Sequence, residues 1–177
     1  MRTKKKRIGR LIGTIAACLF LASCQEPEMP QGRSVKVERV ISGQSIEIVD
    51  NFNPVPILQP VRLIGIDAPD LKQQPWGVDA KTELEKLTLG REVLLEFDAQ
   101  QKDSFDRLLG YIWEDKTLIN EELVKEGYVL ASEKVPNIKY SDRLANAQEW
   151  ARLMGKGIWN PERPMRISPS EFRRQQR

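Results

Sequence analysis

Five short apolar stretches, with one helical stretch set between the third and the fourth, limit what this chain can fold into. Ser34–Ile41 is rich in β-branched residues and alternates well enough for a half-buried strand. Ser42, Gly43 and Gln44 form a turn, and Ser45–Val49 alternates again. Asp50–Pro60 holds three prolines and two asparagines and reads as a loop. Val61–Ile66 is a third strand, apolar on much of both faces, and the sequence Asp67-Ala68-Pro69-Asp70 stops it because proline cannot continue a ladder. Ala80–Leu89 carries Ala80, Leu84, Leu87 and Leu89 among charges, which predicts a helix that Gly90 ends. Glu92–Phe97 and Leu108–Trp113 are the fourth and fifth strands, followed by a turn at Glu114, Asp115 and Lys116. Ile119–Glu126 is a short helix, with Asn120 near its start as a cap and Gly127 at its end. Asp142–Met154 places Leu144, Ala147, Trp150, Ala151 and Met154 at helical spacing, and Gly155 and Gly157 close it. Pro161–Arg177 shows no period and reads as an Arg-rich tail. This order predicts a mainly β, α+β domain, a five-stranded barrel of the OB type with three helices packed outside.

The amino terminus follows a different logic. Residues 1–23 hold six bases and no acid, then an eleven-residue apolar run from Leu11 to Leu21. That run is too short to span a bilayer but suits the apolar part of a signal peptide. Leu21-Ala22-Ser23-Cys24 has the form of a bacterial lipobox, so cleavage before Cys24 and acylation of that residue are expected. Cys18 would leave with the signal, and the mature chain would have neither a free thiol nor a disulfide. Residues 24–33 carry two prolines and no apolar period, an extended tether reaching at most roughly 30 Å at about 3.3 Å per residue. The expected organisation is a signal at 1–23, a tether at 24–33, the folded domain at 34–160 and the tail at 161–177. The protein would then be a lipid-anchored monomer of the cell envelope, on the extracytoplasmic side of a bacterial membrane.

Charge is unevenly spread. The segment 34–160 has 16 Lys and Arg against 21 Asp and Glu, and the last seventeen residues have five arginines against two glutamates. A mildly acidic domain argues against strong non-specific binding of nucleic acid.

The chain contains no histidine, which excludes Ser-His and Cys-His catalysis and His-ligated zinc. Chemistry must then rest on carboxylates, arginines, lysines, tyrosines or hydroxyls, with a hard oxygen-bound cation as the metal that suits them. Arg62 lies inside an apolar strand, Asp67 and Asp70 bracket that strand's end, and Arg107 opens the fifth strand after Asp103 and Asp106. A buried arginine is costly without an anionic partner. One reading pairs Arg62 with Asp67 or Asp70, and Arg107 with Asp103 or Asp106, as structural ion pairs. The other has a carboxylate-held cation and two guanidiniums converging on a phosphate, the cation polarising an oxygen and a carboxylate activating water.

Several blocks resemble the staphylococcal nuclease (thermonuclease) family in order and spacing: Val61 to Asp70, Lys81 to Asp98, Asp103 to Tyr111, Leu118 to Gly127, and Lys156 to Trp159. The resemblance covers about 34–160. It implies a five-stranded OB barrel with three helices and, for active members, calcium-dependent cleavage of DNA and RNA that leaves 3′-phosphates. Carried over residue by residue, it implies that Arg62 contacts the scissile phosphate and that Arg107 stabilises charge on the phosphorane or leaving group. Asp67 would be a calcium ligand with the Ala68 carbonyl. Two positions depart from the family pattern. Gln44 stands where a second calcium-ligating aspartate belongs, and Asp70 replaces the catalytic glutamate. The tyrosines that the family sets against the nucleotide are also missing after Tyr128, where the segment runs Val129 to Lys134. A neutral Gln44 weakens a calcium site or abolishes it. A carboxylate short by one methylene displaces the base by about 1 Å, which can cost roughly 10²-fold in rate. The chain is expected to be a weak calcium-dependent nuclease. The alternative is an inactive OB-fold module that binds nucleic acid or an envelope protein.

Overall fold

The computed structural model describes residues 30–50 and 57–176. The expected signal segment, Cys24 and most of the tether lie outside those residues. Among the described residues no helix is long and apolar enough to cross a membrane.

The strands are β1 (Arg33–Ser42), β2 (Ser45–Asp50), β3 (Leu58–Leu63), β4 (Ile66–Asp67), β5 (Glu92–Glu96), β6 (Leu108–Glu114), β7 (Thr117–Leu118) and β8 (Leu130–Ala131). The helices are α1 (Trp76–Thr88), α2 (Ile119–Lys125), α3 (Ser141–Leu153) and α4 (Pro169–Gln175), with a single 3-10 turn at Gly157–Trp159. One sheet runs β3-β2-β1-β5-β6-β7 and closes on itself where β3 pairs β6. Five strands therefore form a closed OB-type barrel, as the strand order predicts. Every pairing in the barrel is antiparallel except that seam, where Val61, Arg62 and Leu63 lie parallel to Leu108, Leu109 and Gly110.

Alternation fills the barrel. Val35, Val37 and Val40 of β1, Ile46 and Ile48 of β2, Val61 and Leu63 of β3, and Val93 and Leu95 of β5 are all buried. Leu108 to Trp113 of β6 are buried without alternation. One face of β6 lines the barrel and the other lies under α2. The β1–β2 turn packs so closely on the rest that a Cβ on Gly43 would stand 2.6 Å from Ala80 Cβ and 3.1 Å from Ala68 Cβ. Only glycine fits there, and this close approach sets Gln44 beside Ala68.

The elements differ from the expectation in several places, and α1 begins at Trp76, four residues before the expected Ala80. β3 begins at Leu58, inside the segment read as a loop, and Pro60 lies within its ladder opposite Glu47 of β2. Gly65, at φ +75°, breaks the third strand in two and turns its end toward β8. Asn120 does not cap α2: its Oδ1 accepts from Ile112 N at 3.0 Å and its Nδ2 donates to Ile64 O at 2.8 Å. The segment read as an aperiodic tail contains α4, a fourth helix beside the three expected, capped by the Ser168 hydroxyl accepting from Glu171 N at 3.2 Å and opened by Pro169.

Candidate active site

The barrel seam places the two arginines. Arg62 lies on β3 directly across from Leu109, and Arg107 immediately precedes β6. Both line one cleft of about 300 Å³, together with Lys134, Asp103, Gln100 and Asn137.

Among the described residues no carboxylate pairs with Arg62. Its guanidinium donates to three backbone carbonyls: Ile66 at 2.8 Å, Gln44 at 3.5 Å, and Leu63. These carbonyls belong to the β1–β2 and β3–β4 turns, so the fold holds the fork in one orientation. A guanidinium has five donors, and two remain for an anion. Burial lowers the Arg62 pKa to about 10, with the nearby Arg107 and Arg173 charges pushing the same way and Asp67 and Asp103 pulling back. A desolvated fork of this kind binds a phosphate more strongly than a hydrated one does.

Arg107 does form the ion pair foreseen as its structural reading. Its Nε donates to Asp103 Oδ2 at 2.8 Å and its terminal nitrogen lies 2.7 Å from the same oxygen. Asp103 Oδ1 accepts from the amides of Phe105 at 2.9 Å and Arg107 at 3.1 Å. Partial burial works against the Asp103 charge, but Arg107 and the two amides outweigh it and hold the carboxyl below its ordinary range. Asp106 pairs with Lys102 instead, at 2.7 Å. Asp103 thus shapes the loop that presents Arg107 while leaving the rest of the fork to the cleft.

The cleft floor is a feature the sequence reading missed. Asn137, 5% exposed, accepts from Gln100 N at 2.7 Å and donates to Gln100 O at 2.9 Å, so one side chain ties two loops together. Ser132, Lys134 and Val135 line the wall where the resemblance implies tyrosines. Phe105, 78% exposed, stands at the loop tip with the Arg107 guanidinium 5.6 Å from its ring centre.

Asp70 stands apart from these groups. Its carboxylate accepts from Lys72 N at 2.9 Å in an exposed turn, and it is not one of the residues lining the cleft. Asp67, Ala68 and Gln44 do come together, as the resemblance implies, but they do not fit a calcium ion as arranged. Gln44 Oε1 accepts from Ala68 N at 2.6 Å. Both Asp67 oxygens accept from Arg173, at 2.7 and 2.9 Å, and the Ala68 carbonyl accepts from it at 3.3 Å. Among the described residues no three His, Cys, Asp or Glu side chains group as metal ligands. The Arg-rich composition of the tail was legible, but its contact with Asp67, 106 residues away in sequence, was not.

A family model described as staphylococcal nuclease homologue matches residues 60–161. The chain is 38% identical over 133 residues to a thermonuclease of Staphylococcus hyicus, covering 72% of this chain and 76% of that one. It is 35% identical over 134 residues to a thermonuclease of Staphylococcus intermedius, covering 73% and 77%. Endonuclease YncB of Bacillus subtilis is 31% identical over 134 residues, covering 72% and 62%.

Proposed function

The chain belongs to the staphylococcal nuclease homologue family, and on that premise we propose that it hydrolyses phosphodiester bonds of nucleic acids, slowly, from an exported and lipid-anchored position. One observation carries this reading. Arg62, Arg107 and Lys134 line a single cleft in which Asp103 is the one carboxylate, although the domain as a whole is acidic. Positive charge concentrated in a cleft of that size suits a phosphodiester and steers it in against the overall field. The free donors of Arg62 would take the non-bridging oxygens, and Arg107 would stabilise charge as the bond to the leaving oxygen lengthens. The exposed Phe105 ring offers a base a stacking face next to that cation. Slow turnover follows from Asp70, whose carboxylate serves a turn away from the cleft. The basic leader, apolar run and lipobox ending at Cys24 support export and anchoring.

The pairing of Asp67 with Arg173 favours a second reading, a barrel that binds nucleic acid without cutting it. A cleavage assay of the full chain on single-stranded DNA and RNA, with calcium and with chelator, decides between them. Cleavage that falls about 10²-fold in Arg62→Ala and in Arg107→Ala supports the nuclease. Binding that weakens in the same variants, with no cleavage under any condition, supports the binding module. Equal cleavage by all three proteins would remove the cleft from the function.

A further inference from the structure

The last helix is held in place by more than its arginine. Met165 N donates to Ile158 O at 2.9 Å, and Gln73 Nε2 donates to Ile167 O at 2.6 Å, which fixes the chain before α4 against the 3-10 turn and against the segment that leads into α1. Pro169, the first residue of α4, is buried. From that anchored start α4 carries Arg173 to Asp67. Arg173 stays 38% exposed while the Asp67 carboxylate is 14% exposed, so the guanidinium covers the carboxylate from the solvent side. The charges also match. With Gln44 neutral, the turn offers one negative charge and one carbonyl, and one guanidinium satisfies both.

We propose that α4 is a built-in lock on this site, with the Arg173 guanidinium standing in for a divalent cation on Asp67 and Ala68, so that such an ion binds only when Arg173 leaves. The lock rests on the family reading for what the ion would then do, but the competition itself is a matter of charge and occupancy. Arg173 already takes both Asp67 oxygens, and a cation brought beside it would meet its repulsion at close range. An ion pair as accessible as this one is weak enough to open.

Calorimetric titration of calcium into the full chain, without nucleic acid, tests the lock separately from nuclease activity. The unmodified chain is expected to show little binding below about 1 mM, as befits a site with one carboxylate. Arg173→Gln is expected to bind about tenfold more tightly or better, because it removes both the competing donor and a positive charge about 4 Å from the ion. Gln73→Ala, which unties Ile167 without touching the carboxylate, should shift affinity in the same direction by less. Adding Asp67→Asn to Arg173→Gln should abolish the gain. Equal calcium affinity with and without Arg173 would overturn the lock, and so would a failure of Arg173→Gln to bind calcium while folded. Absence of nuclease activity would leave the proposal standing.

Discussion

Arg62 shows how a single side chain can be costly to the fold and yet line its basic cleft. Its charge is retained at neutral pH although burial has lowered its pKa to about 10, so the folded state bears the unfavourable desolvation. Arg62→Met keeps the stem that packs in the seam and removes the charge. It leaves three carbonyls short of this donor, of which Gln44 O keeps its bond from Leu63 N, and it removes the desolvation cost of a buried charge that has no carboxylate partner among the described residues. The thermal midpoint of Arg62→Met is therefore expected to be no lower than that of the parent, while affinity for single-stranded DNA falls at least about tenfold, since a lost charged hydrogen bond is worth about 1.5–3 kcal/mol. Differential scanning fluorimetry beside a fluorescence-anisotropy titration reads both; a large drop in midpoint would show that the carbonyl bonds dominate. Arg62 and Arg107 were legible in the sequence because an arginine in an apolar strand and an arginine behind an acidic turn both demand a reason. Arg173 was not, because a guanidinium in an exposed, aperiodic stretch gives no local sign of its partner.

Among the elements, β5, β6 and the start of α3 are joined by one carboxylate. Glu96, 1% exposed, accepts from Trp113 Nε1 at 2.7 Å and from the Tyr140 hydroxyl at 2.9 Å, and pairs with Lys139. The Tyr140 ring meets Tyr111 edge-on at 4.7 Å and Trp113 at 5.5 Å, so the polar contact and the aromatic cluster hold the same corner. Glu96→Ala strands three donors and opens space, which should cost about 3 kcal/mol in urea unfolding. A loss under about 1 kcal/mol would mean that water replaces the carboxylate. The periodicity of β5 and α3 was readable, and their ends were found within a residue or two. The corner was not, since Glu96 ends a strand as any exposed glutamate could. The same holds for Asn120, which looks like a helix cap in one dimension and is a bridge between β6 and the β3–β4 turn in three. Gly65 hid the break between β3 and β4 because an apolar run continues through it.

At the scale of the whole molecule, alkaline pH loosens the fold. All three tyrosines titrate above their ordinary value: burial pushes Tyr111 to about 12 and raises Tyr128 and Tyr140, the latter helped by Glu96. The Glu96 hydrogen bond raises Lys139, with burial opposing it. Unfolded phenols release protons near pH 10, when the folded chain still holds them. The folded state then binds more protons than the unfolded state, and stability falls as pH rises. Arg62 runs the other way, since its lowered pKa relieves the fold above pH 10. The phenols and Lys139 outnumber it. Urea midpoints should hold steady up to about pH 9 and decline above about pH 10, with absorbance at 295 nm showing delayed phenol ionisation in the folded chain. Tyrosines that titrate near 10 without unfolding would contradict the packing around them. The seam that closes the barrel has a consequence for the cleft as well. Arg62 and Arg107 are brought together only when β3 meets β6, the parallel pairing of Val61 with Leu108 across 47 positions of chain. Closure over such a span costs more chain entropy than local contacts do, so the cleft depends on a non-local pairing at the barrel's seam. A chain still unfolded carries both guanidiniums but no cleft, so neither can be presented beside the other to a single anion.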